Sequence, residues 1–113
     1  MSEFTYLFRG RQTTGSPEEL QKHMQKWVAW FQDLHVKGHL KDPGNPLDPT
    51  GVVVSGKQKT VVDGPFAEAK DVVAGHIMVD AADLAQAVEL SKGCPILEVG
   101  GSVEVRPIQK LMR

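Results

Sequence analysis

Asp63-Gly64-Pro65-Phe66, continued by Ala67-Glu68-Ala69-Lys70, and the later run Gly100-Gly101-Ser102-Val103-Glu104-Val105-Arg106-Pro107 organise the reading of this chain. Gly64 can take a positive φ, while Pro65 fixes its own φ and pushes the residue before it out of the αR region. The pair predicts a sharp corner where the chain leaves a strand. The later run alternates polar and apolar residues with period two, which predicts a strand with one wet face.

Working outward, Phe4-Thr5-Tyr6-Leu7-Phe8-Arg9 mixes aromatic and β-branched residues over a strand's length and stops at Gly10. Ser16-Pro17-Glu18-Glu19 combines an N-cap, a proline at the first helical position and a glutamate three residues after the cap, so a helix begins there. Leu20, Met24, Trp27, Val28, Phe31 and Leu34 follow at spacings of three and four and predict its apolar face, with Gly38 as the stop. Trp30 falls off that stripe and is expected at the surface. Residues 41 to 51 hold Pro43, Gly44, Pro46, Pro49 and Gly51 and read as a loop long enough to carry function. Val52-Val53-Val54 and Thr60-Val61-Val62 flank Ser55 to Lys59 as a hairpin. Phe66 to Asp71 reads as a short helical turn, and Gly75-His76-Ile77-Met78-Val79 as a central strand. Asp83 or Asp80 caps a second helix with Leu84, Ala87, Val88 and Ser91 on one face, ended by Gly93 and Pro95.

The order strand, helix, hairpin, strand, helix, strand predicts an α+β fold. Both helices cover one face of an antiparallel sheet, in a ferredoxin-like two-layer sandwich of βαβ type with an extra hairpin. The other face has no cover. Phe4, Tyr6, Phe8, Met78 and the valines are expected on it in part, which predicts that a second subunit covers it in a homodimer.

The 113 residues fit one domain, spanning 1–113, with one modest core. Thirteen Lys and Arg against fourteen Asp and Glu give no basic stripe for nucleic acid or an anionic membrane. The lone Cys94 forms no intrachain bridge, and the first twenty residues carry no apolar signal-like core, so a cytoplasmic protein is expected. The four His and one Cys lack metal-ligand spacing; neither a metal nor a cofactor is expected.

The tetrapeptide Asp63-Gly64-Pro65-Phe66, with Asn45-Pro46-Leu47 before it and Gly75 and the Gly100-to-Arg106 run after it, resembles the DGPF-type group of the YCII-related family over nearly the whole chain. The resemblance implies a homodimeric α/β barrel with its sheets face to face. It also implies an enzymatic branch of dehydrochlorinase type, with an acid/base pair made of a His on the first helix and an Asp in an Asp-Pro dipeptide after the second. Here Trp27 and Cys94 stand at those places, and neither can replace an imidazole paired with a carboxylate. Relatives encoded beside or fused to sigma factors imply, by analogy, a regulatory interaction module.

Three functions follow as expectations. The first is a small-molecule ligand held in a cleft lined by Asp63, Phe66, His76 and Arg106, with the Asn45-Pro46 loop as cover. The second is a lyase or isomerase using His76 or His23 as a relocated acid/base group, oriented by Asp63. The third is the interaction module. Against each residue stands a plainer role. His76 reads as a packed, hydrogen-bonded ring and His23 as a solvent-facing helix residue. His35 and His39 read as cations at a helix C-terminus, and Arg106 as a cross-strand ion-pair partner. Cys94 is a thiol that a helix C-terminus makes less acidic.

Overall fold

Alternation decides which side of each strand enters the core. In β1 (Ser2–Arg9) Phe4, Tyr6 and Phe8 are buried, while Thr5, Leu7 and Arg9 point the other way. The computed structural model describes residues 1–10, 15–64 and 71–111. β1 is followed by α1 (Pro17–Val36), β2 (Leu40–Asp42), β3 (Gly51–Ser55), β4 (Thr60–Gly64), β5 (Val73–Ala81), α2 (Leu84–Ser91), a 3₁₀ turn (Pro95–Val99) and β6 (Ser102–Pro107). The main sheet runs β2-β5-β1-β6, antiparallel throughout, and β3 with β4 forms a sheet of its own. Both helices lie on one face of the main sheet, so the chain is the ferredoxin-like α+β sandwich with a hairpin inserted between its second and third strands.

The helix ends follow local chemistry. Ser16 accepts from the Glu19 amide at 3.1 Å, with Pro17 in the first turn, as the capping box predicts. Gly38, at φ +80°, turns α1 off: its amide bonds to His35 O and the His39 amide to Leu34 O, a Schellman closure. His39 then donates from Nδ1 to Asp80 O at 2.8 Å, while the Asp80 amide donates to His39 O. It ties the start of β2 to β5. Asp83, and not Asp80, caps α2, accepting from the Gln86 amide at 2.9 Å.

The core departs from the expected stripe. Trp30, expected at the surface, is 7 % exposed and packs between Tyr6, Phe8 and Phe31, with its indole N–H on Leu90 O. Met24 and Val28, expected inside, are 59 % and 48 % exposed. The buried line of α1 is His23, Trp27, Trp30, Phe31 and Leu34, a stripe of the same spacing rotated toward Trp30. Gly93 makes room for that ring, since a Cβ there would come within 3.1 Å of it. On α2 the inward residues are Ala87 and Ser91, small enough for the Tyr6 hydroxyl to reach Ala87 O.

Phe4, Tyr6 and Phe8 therefore do not sit on the uncovered face; all three are inside the single chain. Residues 41 to 51 are also more ordered than a plain loop, because Lys41 and Asp42 belong to β2 and Pro46 bridges to Gly75 beside β5.

Candidate functional site

The uncovered face is built from the outward residues of three strands. Leu7 lies opposite His76 on one side and Glu104 on the other, and Thr5 lies between Met78 and Arg106. A mainly apolar strip of Leu7, Thr5 and Met78 thus runs beside the exposed His76, whose imidazole has no hydrogen-bond or ionic partner among the described residues. Of the roles expected for it, the plainer one is a packed ring. The strand alternation that buries Ile77 and Val79 turns it outward instead.

Charge networks close both ends of the strip. At one end Glu104 Oε1 accepts from Arg9 Nε at 3.1 Å and Nη2 at 3.0 Å, and Oε2 pairs with Arg106 at 3.0 Å. Arg106 and then Arg9 hold the Glu104 carboxyl below its ordinary range. The pairing of Arg106 is along its own strand, two residues away; the cross-strand partner of Glu104 is Arg9. At the other end Glu3 is paired with Lys110 at 2.6 Å and with Lys41, and these ammonium groups lower its pKa from 4.5 to about 2.

Arg9 also enters a groove of about 320 Å³ at the root of the β3–β4 hairpin. Leu47, Pro49, Val52, Val53, Val72 and Val73 give it apolar walls, with Asp48 and Asp71 among the other lining residues. Arg9 Nη1 donates to Asp71 O at 2.9 Å, which fixes the guanidinium between sheet and groove. These contacts use three of its five N–H donors, leaving one on each Nη.

The remaining candidates are dispersed. Asp63 is exposed within β4, opposite Val52, and makes no hydrogen bond or ion pair with His76. Gly64 is the last residue of that strand and does not take a positive φ; a Cβ there would come within 2.7 Å of Val53 Cγ2. Its glycine is needed for space, not for a left-handed backbone. Phe66, Pro65 and the turn expected over 66–71 lie, up to residue 70, outside the described residues. The Asn45-Pro46 segment runs along the sheet edge beyond β2, with the Leu47 amide on Ala74 O, so it extends the sheet instead of covering a cleft.

His23 is half-buried, not solvent-facing, and its Nε2 accepts from the Trp27 indole at 3.0 Å. Beyond it Glu98 pairs with Lys26 at 2.8 Å, and its carboxyl is held low by Lys26 and, more weakly, by His23. Cys94 is 2 % exposed, and burial pushes its thiol up to about 12, so the direction expected from sequence holds with a different main cause. Among the described residues no cluster of His, Cys, Asp and Glu could hold a metal ion, and no helix is long and apolar enough to cross a membrane.

Sequence reading missed Arg9, Glu3 and Glu104 as one system. The signal was present: once Phe4, Tyr6 and Phe8 are placed inside, period two puts Glu3 and Arg9 on the other face.

Fold and site together define a ferredoxin-like α+β domain with one uncovered sheet face and a groove at the root of its hairpin. The chain belongs to the YCII-related domain family, which matches residues 4–111. An uncharacterised protein of Rhizobium meliloti (strain 1021) is 36 % identical over 101 residues, covering 85 % of this chain and 82 % of that protein. Among solved structures, the 5-chloro-2-hydroxyhydroquinone dehydrochlorinase of Burkholderia phenoliruptrix AC1100, in complex with 2,5-dihydroxybenzoquinone, superposes with a TM-score of 0.53 at 15 % identity. That match covers 95 % of this chain and 93 % of the other, and at this identity it shows the shared fold.

Proposed function

We propose that this chain binds a small organic molecule as a cytoplasmic homodimer in which the uncovered sheet faces meet. The carrying observation is the groove at the hairpin root, where apolar side chains surround one fixed guanidinium with two spare donors. His76 and Arg106 stand on the adjoining face and become part of the enclosed wall once a second copy covers it. Asp63, paired across the hairpin with the groove-lining Val52, is assigned to the rim of the same cleft. A planar molecule with an anionic or hydroxyl edge suits this chemistry, because Arg offers paired N–H donors to such groups. The ligand of the structural neighbour, 2,5-dihydroxybenzoquinone, is the natural first probe.

The test is a thermal-shift series with 2,5-dihydroxybenzoquinone, simple phenols and benzoates, run on the wild type and Arg9→Gln. A ligand at a hundred times its dissociation constant adds about 2.7 kcal/mol, a rise of several degrees in a domain this size. A shift lost in Arg9→Gln supports the groove; a flat series against every compound overturns it.

The lyase or isomerase reading has one observation in its favour. His23 lies one turn before Trp27 and Glu98 one turn after Cys94, so an imidazole and a carboxylate within electrostatic reach of each other stand on the same two elements, displaced from the family's expected places. Turnover of a compound that binds, abolished in His23→Ala with binding intact, is the result this reading requires.

A further inference from the structure

The β3–β4 hairpin is built as an arm with no body of its own. Val52, Val54 and Val61 are 60 % or more exposed, and β3 and β4 pack mainly on each other. Register puts Val54 and Val61 side by side on one face, beyond the Val52–Asp63 pair, with Val53 and Val62 on the other, so the middle of the arm carries valines on both sides. A two-stranded hairpin is at best marginal in water without a surface to pack on. The chain as a whole shows the same incompleteness. Its radius of gyration is 15.6 Å, where a compact domain of this length has about 13 Å. It exposes 7960 Å² of surface, where a compact monomer of this mass exposes about 6,100 Å². The excess, roughly 1,800 Å², is twice the ~800 Å² that each partner gives to a standard stable interface.

We infer that the hairpin clasps a second copy of this chain, its Val54–Val61 face closing on the partner's flank beside the contact between the two sheet-face strips. The occupant is a second copy because one chain carries both unfinished surfaces: the arm and the strip of Leu7, Thr5 and Met78. A two-fold axis lets each copy cover both surfaces of the other with no third component, which is the self-complementarity an isologous dimer needs. The inference rests on the homodimer reading above and adds the element that holds the two copies together.

The experiment is sedimentation equilibrium of the full chain as wild type, as Val54→Asp/Val61→Asp, and as Met78→Arg. Circular dichroism and urea melts below the association range check that the monomers fold alike. The expected result is a wild-type dimer whose dissociation constant rises at least tenfold in the hairpin variant. Hydrogen exchange on the wild type covers the case of a misfolded variant: amides of residues 51–64 should be protected above the dissociation constant and exchange freely below it. A wild type that stays monomeric at about 100 μM, and so has a dissociation constant weaker than that, overturns both the dimer and the clasp. A dimer weakened by Met78→Arg, but unchanged by the hairpin variant and showing no protection of residues 51–64, overturns the clasp and leaves the dimer standing.

Discussion

The two faces of the main sheet come from the same strands and have opposite characters. On the covered face Phe4, Tyr6, Phe8, Ile77 and Val79 meet Trp30 and Leu34 with little or no exposed surface. On the other, half-buried Thr5, Leu7 and Met78 and exposed His76 lie between two ionic networks. One residue of phase separates the core of the fold from its uncovered face, so strand alternation, more than composition, decides which side chains are left outside.

The sharpest way to break the contrast is Trp30→Ala. Removing a buried indole from four aromatic neighbours should cost about 3–5 kcal/mol, read as a lower urea midpoint. Gly44→Ala comes next. Gly44 sits at φ +54°, and a Cβ there would meet His76 O at 2.1 Å, so the segment must lift off β5. The expected loss is about 1–3 kcal/mol, with faster hydrogen exchange at Leu47, whose amide bonds to Ala74 O. Ser16→Ala tests a helix end far from either face and should cost about 1 kcal/mol.

The ionic networks allow a prediction in pH. Glu3 has its folded pKa lowered from 4.5 to about 2, so its contribution is fully present above 4.5 and is lost as pH falls toward 2. Glu3→Gln should therefore flatten the fall of stability across that window and leave the neutral side unchanged in slope, as urea midpoints measured at several pH values would show. The smallest effect belongs to His76→Ala. With an exposed, unpartnered ring, the monomer's stability should move by no more than about 0.5 kcal/mol. A larger loss at concentrations where the chain is monomeric would mean the ring is packed after all.

Local chemistry was legible in the residues. Ser16-Pro17-Glu18-Glu19, Gly38 and the two valine runs each encode a cap, a stop and a hairpin through contacts a few residues apart, and each forms as expected. Rotation of α1 was not legible, because leucine-like and aromatic positions on neighbouring helical lines compete and only the shape of the sheet beneath decides between them. Trp30 wins because Gly93 leaves a space for its ring. The site was legible only in part for a similar reason. His76, Arg106 and Asp63 are visible as chemistry, but their faces depend on register, and the hairpin that carries Asp63 leaves the main sheet altogether.

Cys94 has a practical consequence. It is the only thiol of the chain, it is buried, and it holds its proton up to about 12. A maleimide added at neutral pH should leave the folded protein unmodified, so any cysteine placed on the surface becomes a single chemical address. The wild type is already the background on which spin labels, fluorophores or distance probes can be mounted without first removing a native residue.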